Sequence, residues 1–120
     1  MYLDPEEREI RRVLIEVASV RGTITYRGLI QSLGLPYNLK NADDRHMLAL
    51  SLCDICEYEH EDFRPLLSVL VVNESGIHRG RPSPAFFEFA RKIGKHRDDS
   101  DEKFLYYETR KVWKQWEVNY

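Results

Sequence analysis

A chain of 120 residues, 42% apolar and 32% charged, is long enough to bury a core without disulfide or metal staples. No apolar run approaches the roughly 20 residues of a membrane span, and an N-terminus rich in Glu and Arg is no secretory leader, so a cytoplasmic protein without membrane contact is expected. The net charge of -2 excludes a global attraction to nucleic acid, but the charge is segregated along the chain. Six Lys/Arg face one acid, Glu88, between His78 and Arg97, whereas five acids and no Lys or Arg lie between Asp54 and Asp62.

From the N-terminus, Asp4-Pro5-Glu6-Glu7 predicts a helix start, with Asp4 as cap, Pro5 at the first helical position and Glu7 completing a capping box. Ile10, Val13, Leu14, Val17 and Ala18 form its apolar face, and Arg21-Gly22 ends it. Thr23-Ile24 predicts a short strand. Thr25 then caps a two-turn helix carrying Leu29 and Leu33, with Gly34 as its stop. Gly28 within that helix costs about 1 kcal/mol relative to Ala, and predicts the close approach of another helix. After a turn at Leu35-Pro36-Tyr37-Asn38, Asn38 or Asn41 caps a long helix over residues 42–60. Asp43 and Asp44 suit its positive end, and Leu48, Leu52 and Ile55 form its stripe.

Beyond Arg64-Pro65, residues 66–72 read as a strand buried on both faces. Asn73-Glu74-Ser75-Gly76 is a turn, and Ile77-His78-Arg79 returns as the second strand of a hairpin. Ser83 caps a helix holding Phe86, Phe87, Phe89, Ala90 and Ile93, closed by Gly94. The last helix opens at Asp98-Asp99-Ser100-Asp101, with Leu105, Thr109, Val112 and Trp116 on one face. The expected architecture is one α+β domain over residues 1–120, winged-helix-like, with a helix-turn-helix, a β-hairpin and two C-terminal helices.

Candidate chemistry is sparse. Cys53, Cys56 and His60 form a C-x2-C-x3-H string that shares one helix face, but structural zinc needs a fourth ligand from a second element. His46, His78 and His96 carry no such spacing, so packing of Cys56 against the apolar stripe is the stronger reading and no metal or cofactor is expected. Glu57, Glu59, His60 and Glu61 read first as a solvated helix end, then as an acidic patch for a basic partner, and last as acid/base groups. No nucleophile motif, P-loop or dinucleotide fingerprint occurs, so no catalytic residue is assigned. His78, Arg79, Gly80 and Arg81 suit phosphate contact, since Arg offers a planar donor fork and Gly a close backbone approach. Arg91, Lys92, Lys95, His96 and Arg97 extend that surface or form an ordinary basic helix face.

The pattern Thr25-Tyr26-x-x-Leu29-x-x-x-Leu33-Gly34-Leu35 resembles the first helix of the DNA-binding domain in O6-alkylguanine alkyltransferases and alkyltransferase-like proteins. The order of features continues the resemblance through Pro65 to Gly76 and into Lys103-Phe104-Leu105-x-x-Glu108. That family places a reactive Cys, or a Trp in the alkyltransferase-like members, directly after a Pro and before His-Arg-Val. Here Leu66-Leu67-Ser68-Val69 follows Pro65, so alkyl transfer is not implied. In that family the second helix of the pair enters DNA, which implies Asn38, Lys40, Asn41, Arg45 and His46 as contacts, with Asp43 and Asp44 among them repelling phosphate. Residues 64–72 and the Pro84-x-Phe-Phe87 string also resemble small uncharacterised bacterial proteins.

The leading expectation is a non-enzymatic module that binds the nucleic-acid backbone through Asn38, Lys40, Asn41, Arg45, His46, His78, Arg79, Arg81, Arg91 and Lys95, with Arg79 and Arg81 carrying much of it. The alternative is a protein-interaction or regulatory module using the acidic 54–62 segment and aromatic side chains, Phe86, Phe87, Phe104, Tyr107 and Trp116, in excess of one small core. The third is a small hydrolase or nuclease in which Glu57, Glu59, His60 and His78 converge.

Overall fold

Residues 66 to 72 are buried without exception, and the helices are arranged around them. The computed structural model describes residues 1–118. In chain order the elements are α1 (Pro5–Ser19), β1 (Ile24–Thr25), α2 (Tyr26–Leu33), α3 (Ala42–Glu61), a 3-10 helix (Leu67–Leu70), β2 (Val71–Val72), α4 (Pro84–Lys92) and α5 (Asp101–Trp116). Among the described residues the fold is therefore α+β, with five α-helices and one two-stranded parallel sheet.

The helix signals in the sequence are realised by their caps. Asp4 accepts from the Glu7 N–H while Glu7 accepts from the Asp4 N–H, a reciprocal capping box that starts α1. Thr25 accepts from the Gly28 N–H at 2.9 Å to start α2, and Gly34, at φ 61, ends it in the left-handed conformation that only glycine adopts cheaply. Asn41, rather than Asn38, caps α3 by accepting from the Asp44 N–H. Gly28 meets no second helix. A Cβ there would press on Thr25 Oγ1 at 3.1 Å and on Ile24 Cγ1 at 3.3 Å, so the glycine makes room for its own helix's cap.

The expected hairpin is not formed. Of residues 66–72 only Val71 and Val72 form a strand, and they pair in parallel with Ile24 and Thr25, connected through α2 and α3. Residues 67–70 instead wind into a 3-10 turn because the run is enclosed by α1, α3 and α5 and needs to satisfy its own backbone. The 73–81 segment is a loop pinched shut where the Gly80 N–H donates to the Asn73 carbonyl at 2.8 Å. Phe86, Phe87 and Phe104 belong to the core, so of the aromatic residues expected in excess only Tyr107, exposed, and Trp116, half-buried, lie outside it. On α5 the buried face is Phe104, Glu108, Thr109 and Val112, placing Leu105 and Trp116 at its margin.

Two buried carboxylates tie the helices to this centre. Glu108 on α5 accepts from the Leu66 N–H at 2.8 Å and from Lys95 Nζ at 3.0 Å. Glu59, at the end of α3, lies between the guanidinium groups of Arg11 and Arg64, and Arg11 also stacks near Tyr58 and Trp116. Removing one partner of such a pair leaves an uncompensated buried group. Glu108→Ala is expected to lower unfolding free energy by about 3–5 kcal/mol in urea titrations, and Glu108→Gln by less because its amide oxygen still accepts from Leu66.

Glu7 is buried against α3, where burial and a hydrogen bond with Asp54 raise its carboxyl from 4.5 to about 7. The folded protein thus holds a proton that the unfolded chain releases, and the associated stability is full below pH 4.5 and lost as pH rises through 7. Relative to the native protein, Glu7→Gln is expected to flatten the pH dependence of denaturation between those values by up to about 1.4 kcal/mol per pH unit.

Candidate nucleic-acid interface

A cleft of about 610 Å3 opens between the start of α2, the first half of α3, the 73–75 loop and the N-terminal turn of α4. Its floor is apolar, made by Leu48, Ala49 and Leu52 of α3 with Phe86 and Phe89 of α4. Tyr26 stands at one wall, its hydroxyl accepting from the Ser83 N–H at 3.0 Å, which joins the start of α2 to the start of α4. Burial raises the Tyr26 hydroxyl above its ordinary value, so it stays a neutral phenol in this wall. Arg27, Lys40, Arg45 and His46 line the same cleft.

The α3 end of the cleft follows from local sequence. Asn38 accepts from the Lys40 N–H and Asn41 caps α3, so both amide side chains serve the turn and are occupied by the backbone. Lys40, Arg45 and His46 remain exposed on either side of that cap. Arg45 Nη1 donates to the Leu39 carbonyl at 2.7 Å, which fixes the guanidinium while leaving its charge uncompensated. Asp44, expected to repel phosphate, is turned back on the chain to accept from the Asn38 N–H, and neither it nor Asp43 lines the cleft. One acid does line it: Glu74, paired with Arg27 at 2.8 Å.

The basic segment after His78 is arranged differently. His78, Arg81 and Arg91 line a second, separate cleft of about 380 Å3 together with Asp101 and Glu102. Arg81 pairs with Glu102 at 3.1 Å and lies over the Phe87 ring, while Arg91 pairs with Asp101. His96 Nε2 sits 2.7 Å from the same Asp101, and with Arg91 beside it this hydrogen bond holds Asp101 below the ordinary carboxylate range. Lys95 is the cation of the buried Glu108. Arg81, Arg91 and Lys95 are thus neutralised by α5, whereas Arg79, Lys92 and Arg97 are exposed without a carboxylate partner among the described residues. The sequence signal for this pairing is the acidic stretch over residues 98–101, which on its own reads as nothing more than a helix cap.

Glu57, Glu59, His60 and His78 share no cleft described above. Glu59 is sealed by two arginines, Glu57 is exposed, and His78 faces Arg81 and Asp101 across the second cleft. Cys53, Cys56 and His60 form no group able to hold a metal ion among the described residues. Cys56 is buried with its Sγ 2.9 Å from the Ser68 hydroxyl, joining α3 to the 3-10 helix. Comparison with family models, with curated proteins and with solved structures returns no match for this chain. Among the described residues no helix is long and apolar enough to cross a membrane.

Burial pushes the Cys56 thiol up to about 12, and burial followed by the nearby Asp54 and Glu57 carboxylates raises Cys53. Since the thiolate is the reactive form, a thiol-disulfide reagent at pH 7.5 is expected to titrate Cys53 slowly and Cys56 only upon unfolding. Two fast-reacting thiols in the folded protein would contradict this placement.

Proposed function

We propose that this protein is a non-enzymatic nucleic-acid-binding module whose contact surface is the cationic rim of the large cleft. The observation that carries the reading is the convergence of Lys40, Arg45 and His46 with Arg27 around an apolar floor. The cations stand at the open rim of the cleft, where a polyanionic backbone can reach them, and that rim is suited to phosphate. In this reading α2, the turn over residues 35–41, and α3 act as a helix-turn-helix, and the 73–81 loop stands in place of a winged-helix hairpin. The resemblance of residues 25–35 to the alkyltransferase DNA-binding domain supports the same orientation of α3. The absence of the Pro-Cys-His-Arg counterpart after Pro65 separates binding from alkyl transfer.

The residues assigned to phosphate are fewer than the sequence suggests. Lys40, Arg45, His46 and Arg79 keep that role, while Arg27, paired with Glu74, and Asn38, Asn41, Arg81, Arg91 and Lys95 act in the scaffold. Titration of a labelled DNA duplex, followed by fluorescence anisotropy across a salt series, tests the assignment. Lys40→Ala with Arg45→Ala is expected to weaken binding at least tenfold and to lower the salt slope by about 0.9 for each phosphate no longer neutralised. Arg91→Ala is expected to leave both unchanged. An affinity that ignores the Lys40 and Arg45 changes would overturn the role given to this rim.

A further inference from the structure

The outer face of α5 is a second feature with binding chemistry. Lys103, Tyr106, Tyr107, Arg110 and Lys114 fall on one side of the helix by their three- and four-residue spacing, with Lys111 at its border. All six are exposed, and no acid stands among them. The acids of α5 are turned elsewhere: Asp101 toward Arg91 and His96, Glu102 toward Arg81, and Glu108 into the core beneath Leu66. A helix of nearly balanced composition therefore presents a positive surface. Among the described residues Lys111 and Lys114 have no carboxylate partner, and Lys103 has only Asp99 at 3.7 Å.

The aromatic residues on this face are placed for stacking. Tyr106 and Tyr107 are 52% and 51% exposed, with rings edge to face at 5.2 Å. The Arg110 guanidinium lies 3.5 Å from the centre of the Tyr106 ring and 5.8 Å from that of Trp113. Such stacking holds the donor fork flat and reduces the rotamer entropy lost when it meets a phosphate. Arg110, Trp113 and Lys114 continue into a shallow cleft of about 390 Å3 at the end of the helix, whose one acid, Glu117, is paired with Arg21.

We propose that this face binds single-stranded nucleic acid, with Tyr106 and Tyr107 stacking on bases and Lys103, Arg110, Lys111 and Lys114 following the backbone. Charge complementarity selects a polyanion. Half-exposed rings select unpaired bases, because a duplex keeps its base faces stacked inside. A lipid surface fits less well, since an interfacial helix buries a broad face of Trp, Phe and Leu, and in α5 Phe104, Leu105, Trp113 and Trp116 are buried or half-buried. The proposal concerns a different element from the cleft rim and stands independently of it.

Titration of a labelled 12-nucleotide oligo-dT and of a duplex of equal length, read by anisotropy, provides the test. Tighter binding of the single strand is expected. Tyr106→Ala with Tyr107→Ala should weaken it roughly tenfold, in line with about 1–3 kcal/mol per stacked base. Lys111→Glu with Lys114→Glu should weaken it and reduce its salt dependence. All four positions are exposed, so circular dichroism is expected to show native folding in both variants. Oligo-dT binding unchanged in both variants, a preference for the duplex that persists in the Lys40→Ala, Arg45→Ala protein, or binding only to phosphatidylserine vesicles would each overturn the proposal. Lys40→Ala with Arg45→Ala reads the cleft rim separately: loss of duplex binding there with oligo-dT binding intact is the pattern expected if both surfaces act.

Discussion

Enclosing residues 66–72 completely imposes a condition that much of the rest of the molecule meets. A buried backbone has to find its hydrogen bonds inside the protein. The 3-10 turn supplies some, the parallel pairing with Ile24 and Thr25 supplies others, and the N–H of Leu66 is left for a side chain. Glu108 fills that role, but a carboxylate in the core itself requires a cation, which Lys95 brings from the segment after α4. One backbone N–H in the centre thus fixes the position of α5 and of the turn before it. Glu59 repeats the same logic at the other end of α3, where Arg11 and Arg64 close over it and bind α1 to the start of the buried run.

Much of this can be read from the sequence where the causes are local. The capping box at Asp4, the Thr25 cap and the Gly34 stop are determined by residues three or four positions apart, and α1 and α2 begin where those signals put them, whereas the sequence leaves the α3 cap between Asn38 and Asn41. The run after Pro65 is ambiguous in sequence because a continuous apolar stretch has no period to distinguish a strand from a turn of helix. Its conformation is set by packing against α1, α3 and α5, of which α1 and α5 lie far away in the chain. The absence of a hairpin follows from that: once residues 67–70 wind up, only two residues remain to pair, and β1 takes them.

The candidate interface is legible in its α3 half and not in the segment after His78. Lys40, Arg45 and His46 gather at the start of a helix, a local arrangement visible from its cap. Arg81, Arg91 and Lys95 look free in sequence because their partners, Asp101, Glu102 and Glu108, lie on the next helix and read as its own cap and polar face. The same sorting hides the outer face of α5. Counting charges along that helix gives near balance, while burying or pairing its acids on one side leaves the other side basic. Charge in this protein is separated by the packing more than by composition.

The hydrogen bond from Leu66 to Glu108 spans 42 residues, and this has a consequence for how the chain is made. During synthesis the apolar run leaves the ribosome long before the carboxylate that holds it. Until α5 follows, the centre of the protein is an uncapped hydrophobic segment, and closing a loop of that length carries an entropic cost that only the completed core offsets. A chain cut short before Glu108 would therefore keep its most apolar stretch without the carboxylate that satisfies it.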